Sequence, residues 1–248
     1  MDPTQLVEDN TLKHGTAIYL EENRYEQPKE MFKQLAELAK QRGVLKAGSV
    51  VCDFGCAAGE FLYHLRRECP MATYSGYDVV SELLDKARTK VPGVAFQHGS
   101  VLDRSLRPPA SADLTFLVGV HSLFEDFEPC VSNLLQWTRP GGAIYIAGLF
   151  NPYPADVWVT YRLADAPRGQ RESGWNLFSK ASVSRYLDAL ATPVGYTFLP
   201  FVMPCDVAPH PRDVVRTWTF RDERNRRVFT NGLSLLCHLE ILEIRPHR

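Results

Sequence analysis

The sequence predicts a doubly wound, mostly parallel α/β sheet with helices on both faces, and three observations carry that prediction. Strand-length apolar stretches alternate with helically periodic segments from about residue 46 to residue 150. The first of these strands, Ser49–Phe54, leads into a small-residue loop, Gly55-Cys56-Ala57-Ala58-Gly59, and a helix follows at once. Asp113–Val120 is a near-continuous apolar run, as expected of a central strand covered on both faces.

The elements follow in order. Pro28 opens a helix in which Met31, Phe32, Leu35, Leu38 and Ala39 recur at helical spacing, and Gly43 ends it. After the first strand, a helix from about Gly59 to Cys69 carries Phe61, Leu62 and Leu65 on one face. The strand Thr73–Tyr77 ends at Asp78, and a helix from Ser81 to Lys90 follows, with Ser81 expected as its cap. Pro92-Gly93 turns the chain into a short strand, Val94–Gln97. Pro108-Pro109 prevents the next loop from being helical throughout. A helix from about Pro129 to Trp137 is expected to stop at Arg139-Pro140-Gly141-Gly142, before the strand Ala143–Leu149. Beyond residue 150 the alternation fails: 151–178 and 203–216 are irregular, with a helix Lys180–Leu190 and a strand near Tyr196–Val202 between them. The last strands are joined by short turns and are expected to be antiparallel.

Composition narrows the function classes. With 248 residues, 45% of them hydrophobic and 23% charged, the chain reads as one globular domain with insertions. A net charge of −1 gives no field toward nucleic acid or anionic lipid, so neither partner is expected. The apolar stretch Gly141–Phe150 is too short to span a bilayer. The six cysteines form no CxxC pair, which argues against a metal site and for reduced thiols. Met1–Gln5 shows no basic-then-apolar pattern, and a cytoplasmic location is the expectation.

The chemistry concentrates at the first two strand ends. Small residues at Gly55, Ala57, Ala58 and Gly59 let the backbone approach a ligand, and the following helix start offers unpaired N–H groups. The loop lacks the G-x-G-x-x-G order of dinucleotide turns, and Asp53 repels phosphate, which disfavours a nicotinamide-dependent dehydrogenase. A carboxylate at Asp53 suits an ammonium group, and Asp78 suits ribose hydroxyls. A ligand with a ribose and an ammonium but no phosphate is S-adenosylmethionine.

Cys52-Asp53-Phe54-Gly55-Cys56-Ala57-Ala58-Gly59 resembles the first motif of class I S-adenosylmethionine-dependent methyltransferases of the small-molecule type. Tyr77-Asp78 resembles the second motif, and Leu134–Gly142 the leucine-then-Pro-Gly-Gly motif before the fifth strand. The resemblance covers about residues 45–150. It implies a Rossmann-like sheet of seven strands with an antiparallel C-terminal strand, within a single methyltransferase domain (1–248). That domain divides into an N-terminal helical lid (1–45), a cofactor-binding core (46–150) and substrate-covering insertions (151–178 and 203–216). It implies cofactor contacts from Asp53, Gly55, Cys56, Ala57, Gly59, Asp78, Val79, Ser100, Val101, Val118 and Gly119, with Tyr19 and Arg24 folding over the methionine carboxylate. Ser100 stands where the family has an acid, which moves the expected adenine contact to the Val101 backbone.

A small-molecule methyl acceptor is implied, to be methylated on oxygen or nitrogen. His121, after the fourth strand, is the candidate general base, with Glu125 and Asp126 in the same loop and His14 and His210 farther off. Trp158, Tyr161, Arg162 and Trp175 are candidate substrate residues. A cofactor-binding partner subunit without catalysis is the alternative from another class. The acceptor's identity and the oligomeric state stay open.

Overall fold

The computed structural model describes residues 16–247. His14 therefore lies outside the described residues, as does the rest of the segment before α1 (Thr16–Glu21). The chain continues through α2 (Glu30–Gln41), β1 (Val50–Phe54), α3 (Glu60–Glu68), β2 (Thr73–Asp78), α4 (Ser81–Lys90) and β3 (Ala95–His98). Next come β4 (Ala112–Val118), α5 (Glu128–Trp137), β5 (Thr138–Asn151), and the short strands β6 (Thr160–Tyr161), β7 (Glu172–Ser173) and β8 (Phe178–Ser179). The remainder is α6 (Lys180–Asp188), β9 (Val194–Pro200), β10 (Trp218–Arg221), β11 (Arg227–Thr230), β12 (Leu236–Cys237) and β13 (Leu239–Pro246).

The main sheet runs β3-β2-β1-β4-β5-β13-β9. Strands β1 to β5 pair in parallel, and β13 lies antiparallel between β5 and β9. The seven mostly parallel strands with an antiparallel C-terminal strand are as expected, and β8 adds one short parallel pairing to the end of β5. The chain reverses order at β1, so β1 and β4 flank the crevice at their carboxyl ends where ligands of such sheets sit.

Period-two alternation divides the strand side chains between two cores. Val51, Leu114, Phe116, Tyr145 and Ile241 meet Phe32, Leu35, Phe61, Leu65 and Leu84 from α2, α3 and α4 on one face. Cys52, Phe54, Leu117, Ile144, Ile146 and Leu242 meet Val131, Leu134, Trp137, Val183 and Leu187 from α5 and α6 on the other. Phe54 stacks between Tyr77 and Trp137, with ring centroids 5.0 and 4.7 Å away. The base of the crevice is therefore rigid aromatic packing.

Two local expectations need correction. Pro140-Gly141-Gly142 does not separate α5 from β5: the strand begins directly at Thr138, and a register shift opposite Ala112 to Leu114 absorbs the turn residues. A bulge accommodates a proline and a glycine of positive φ without ending the strand. Ser81 is the first residue of α4 and not its cap. Val80 occupies the cap position, and the Asp78 carboxylate accepts the Val80 N–H. The strands β10 and β11 pair antiparallel as expected, and with β12 they form a sheet separate from the main one, whose hairpin turns at Asp222–Asn225.

Trp137 is fully buried, and its indole N–H donates to the Arg104 carbonyl at 3.3 Å. Trp137→Ala is expected to lower the unfolding free energy by about 3–5 kcal/mol in a urea titration. A loss well under 1 kcal/mol contradicts this account of the core.

Candidate cofactor and acceptor site

Asp53 and Asp78 end adjacent strands, and both are buried. Asp78 is occupied: Ala57 donates to its Oδ2 at 2.7 Å and Val80 to its Oδ1 at 2.9 Å. One carboxylate thus ties the β1 loop to the start of α4. Burial raises its pKa, while the backbone donors pull the other way. Asp53 is left with Oδ1 lacking any hydrogen-bond partner among the described residues. Burial, and then the nearby Asp78 charge, holds its carboxyl well above the ordinary value near 3.8. An orphaned, buried carboxylate oxygen at a strand end is what an ammonium group would satisfy.

The loop between them is shaped by its small residues. Gly55 and Cys56 donate to the Tyr77 carbonyl at 2.8 and 3.0 Å. Gly55, Ala57 and Gly59 take positive φ values of 72, 45 and 77°. A Cβ on Gly55 would stand 2.3 Å from a Val120 methyl, so a side chain there would push the β1 and β4 exits apart. The Cys56 side chain points away from the crevice into the core beside Gly76 and Leu62, leaving only its backbone for a ligand. Ser100 and Val101 follow β3, both buried; Ser100 Oγ accepts the Leu102 N–H at 3.2 Å, and the Val101 carbonyl accepts from Asn133 at 2.8 Å. Val79 offers its carbonyl to His98 at 3.0 Å. Val118 ends β4, and Gly119 (φ 73°) donates to Ala147 at 2.7 Å with open space where a side chain would stand. The orphaned Asp53 oxygen, the small-residue cradle and the open face at Gly119 fit S-adenosylmethionine.

The N-terminal segment lies against the same loop. Tyr19 packs with Ala57, Ala58, Val79, Val80 and Leu83. The Arg24 backbone donates to Glu60 Oε1 at 2.7 Å, while its guanidinium stands 3.8 Å from Glu22. Tyr25 donates its hydroxyl hydrogen to the Ala58 carbonyl at 2.8 Å. Lys86 donates to the carbonyls of Tyr19, Leu20 and Glu22, a cation at the carboxyl end of α1. The strap therefore closes over the β1 loop through Tyr25, Glu60 and Lys86, none of which any motif or spacing in the sequence singles out.

His121 is not presented to the crevice as a solvent-accessible base. The residue is 1% exposed, its ring stacks on Phe150, and Nε2 meets the Leu149 carbonyl at 3.0 Å, so Nε2 carries the proton. Nδ1 is buried without a partner. Desolvation pushes the pKa down to about 4 and holds the ring neutral, against a smaller opposing contribution from the Leu149 bond. A Cβ on Gly148 would stand 2.6 Å from its Cε1, so the glycine makes room for the ring.

The candidate substrate residues separate into two groups. Trp158 is half exposed and donates its indole N–H to the Glu125 carbonyl at 3.0 Å, which puts it beside the loop after β4. Trp175 packs instead in a cap of Leu149, Leu177, Val157, Val159 and Leu239. Tyr161 donates to Glu172 at 3.1 Å, and Arg162 donates to the Ala166 carbonyl at 2.9 Å, both on or beside the short β6–β7 ladder. His210 is half-buried, and its Nδ1 accepts the Arg212 N–H at 3.3 Å. Two surface hollows, one lined by Lys46, Ser49, Asp113 and Arg139 and the other by Arg42, Tyr196, Glu243 and Arg245, open at the opposite end of the sheet. Among the described residues no group of three or more His, Cys, Asp or Glu is placed to hold a metal ion, and no helix is long and apolar enough to cross a membrane.

Comparison with known proteins agrees with this geometry. Residues 51–142 match the family described as methyltransferase domain. The trans-aconitate 2-methyltransferase of Azoarcus sp. (strain BH72) is 31% identical over 102 residues, covering 41% of this chain and 40% of that protein. The malonyl-[acyl-carrier protein] O-methyltransferase of Halalkalibacterium halodurans is 24% identical over 163 residues, covering 61% of this chain and 58% of that protein. The chain thus spans roughly two fifths to three fifths of the length of these relatives. The magnesium protoporphyrin IX methyltransferase of Synechocystis PCC 6803, solved with bound S-adenosylmethionine, shares the fold at a TM-score of 0.59 and 14% identity, covering 100% of this chain and 98% of that one. Residues 51–142 thus match a methyltransferase domain, and the strand order and the acid-and-glycine crevice support the class I S-adenosylmethionine-dependent kind.

Proposed function

We propose that this chain transfers a methyl group from S-adenosylmethionine to a carboxylate oxygen of a small molecule. The observation that carries the cofactor half is the orphaned Asp53 oxygen beside Asp78 at the ends of β1 and β2. Asp53 takes the ammonium, Asp78 the ribose hydroxyls, and Tyr19 with Arg24 covers the methionine end. Gly55, Ala57 and Gly59 admit the ligand to the backbone; Val79, Ser100 and Val101 border the adenine, and Val118 and Gly119 line the side toward the acceptor. Bound there, the cofactor supplies a methyl group on a sulfonium, activated for displacement.

The acceptor half rests on His121. A hydroxyl acceptor needs a base within hydrogen-bond reach, and the histidine of this crevice is sealed, neutral and bonded to Leu149. A carboxylate is already a nucleophile at neutral pH and needs only placement. The names of the trans-aconitate and malonyl-carrier relatives, both carboxylic acid substrates, favour the same reading. The strap, with segments 151–178 and 203–216, forms the enclosure that keeps water from the acceptor, and His121 holds the β4 exit against β5.

The test is methyl transfer from labelled cofactor to a panel of small mono- and tricarboxylic acids that includes trans-aconitate. A base-labile methyl ester is the expected product; an N-methyl or ether product overturns the carboxylate reading, and no calorimetric binding of S-adenosylmethionine overturns the cofactor reading. Asp78→Ala is expected to weaken cofactor binding about 10- to 100-fold, the loss of charge-assisted hydrogen bonds worth roughly 1.5–3 kcal/mol.

Asp53 gives a second, cofactor-free prediction. Its folded pKa lies above its unfolded one, so above pH 3.8 the unfolded chain releases this proton more readily and the charge costs stability. Asp53→Asn without cofactor is therefore expected to be more stable than the parent at pH 7, with the difference shrinking as pH falls toward 3.8. The same variant binds cofactor more weakly. Equal denaturation midpoints at pH 7 contradict the buried-charge account.

A further inference from the structure

The loop after β4 exposes backbone carbonyls that no strand or helix satisfies, and residues of the 151–178 segment supply the donors. Asn176 donates its backbone N–H to the Ser122 carbonyl at 2.8 Å and its side-chain Nδ2 to the Phe124 carbonyl at 2.8 Å. Trp158 completes the set at the Glu125 carbonyl. The remaining polar atom of the Asn176 side chain, Oδ1, accepts the Val159 N–H at 2.9 Å. On either side, Val157 and Leu177 exchange two backbone bonds of 2.9 Å. Asn176 is 5% exposed, so these bonds are shielded from water and from salt. Its amide orientation is settled by its partners, since the oxygen faces an N–H and the nitrogen faces a carbonyl.

We propose that Asn176 is a positioning residue for methyl transfer: it fixes the backbone of residues 122–124, and through it the wall against which the acceptor is aligned. The proposal rests on the methyl-transfer reading above. The cofactor cradle hangs from β1 and β2 through Asp78, Gly55 and Ala57, and Asn176 touches none of these. The β4 exit, by contrast, is joined to the segment 157–177 at three carbonyls, those of Ser122, Phe124 and Glu125. Loosening that joint shifts the acceptor wall and leaves the cofactor cradle in place. In-line displacement is sensitive to such shifts, because a misplacement of about 1 Å can cost on the order of 100-fold in rate. No other side chain reproduces the pattern. Aspartate keeps the Val159 contact but turns an acceptor toward the Phe124 carbonyl, and alanine leaves that carbonyl and the Val159 N–H unpaired.

The test compares Asn176→Ala, Asn176→Asp and Trp158→Phe with the parent chain. Three quantities are read: the dissociation constant for S-adenosylhomocysteine by calorimetry, kcat and KM for the carboxylic acid that the acceptor panel yields, and hydrogen exchange of the amides in 119–127. Both Asn176 variants are expected to lose about 10- to 100-fold in kcat/KM for the acceptor, with S-adenosylhomocysteine affinity within about twofold of the parent. Amides of 119–127 exchange faster, and those of the β1 loop do not. Trp158→Phe keeps the ring and removes one bond at a half-exposed site, so it follows in the same direction with a smaller effect.

Unchanged acceptor kinetics in Asn176→Ala overturn the proposal. So does a loss of acceptor turnover matched by an equal loss of S-adenosylhomocysteine affinity, which marks general destabilisation. If the Asn176 variants do not fold, Trp158→Phe decides alone, and parental kinetics in that variant overturn the proposal. Failure of the methyl-transfer reading shows separately, as a parent chain that does not bind S-adenosylhomocysteine. In that case the exchange comparison still decides whether Asn176 holds 119–127, and unchanged exchange overturns it.

Discussion

The Asp78 carboxylate is the interaction on which the site depends. It accepts one N–H from the β1 loop and one from the start of α4, so two separate turns at neighbouring strand ends share a single anchor. Each backbone donor finds in that carboxylate a partner that water would otherwise supply, which lets both turns lie buried. Asp53, on the adjacent strand, pays the electrostatic penalty of this arrangement, because two carboxylates in one dry crevice cannot both ionise freely. The cradle is thus stable as a shape and unsatisfied as a charge distribution. A cationic ligand removes that mismatch.

Two kinds of contact close the crevice, and they differ in physical character. The strap joins the 203–216 segment through charged groups: Glu21 pairs with Arg212, and Glu22 with Arg216 at 2.6 Å. The Glu21 pair is exposed on both sides and is weakened by salt. The 157–177 side is joined to the β4 exit through buried hydrogen bonds at Asn176, which salt does not reach. The 157–177 side thus meets the β4 exit through shielded hydrogen bonds, and the 203–216 side meets the strap through ion pairs.

The shape of the crevice at the ends of β1 and β2 was legible in the chain itself. Asp53, Gly55, Ala57, Gly59 and Asp78 carry their meaning through residue type and spacing, because a strand end, a small-residue turn and a helix start are contiguous in sequence. The doubly wound sheet was legible for the same reason: each strand and its crossover helix repeat one local pattern, and right-handed crossovers leave few ways to assemble them. The Pro-Gly-Gly turn misled because a bulge can absorb residues that elsewhere break a strand, and pairing with β4, not local propensity, decides which happens.

The surroundings of the β4 exit were not legible. His121 looks like a base in sequence and becomes a sealed ring once Gly148 and Phe150 pack against it, a contact between segments with no shared pattern. Asn176 and Tyr25 carry no signature either, since their partners are backbone carbonyls far along the chain. By itself, then, the sequence determined the sheet, the strand-end acids and the class of cofactor, all written in local spacing. Only the tertiary structure decided which side chains are buried and which carbonyls need donors, because burial and hydrogen-bond satisfaction are properties of segments brought together in space.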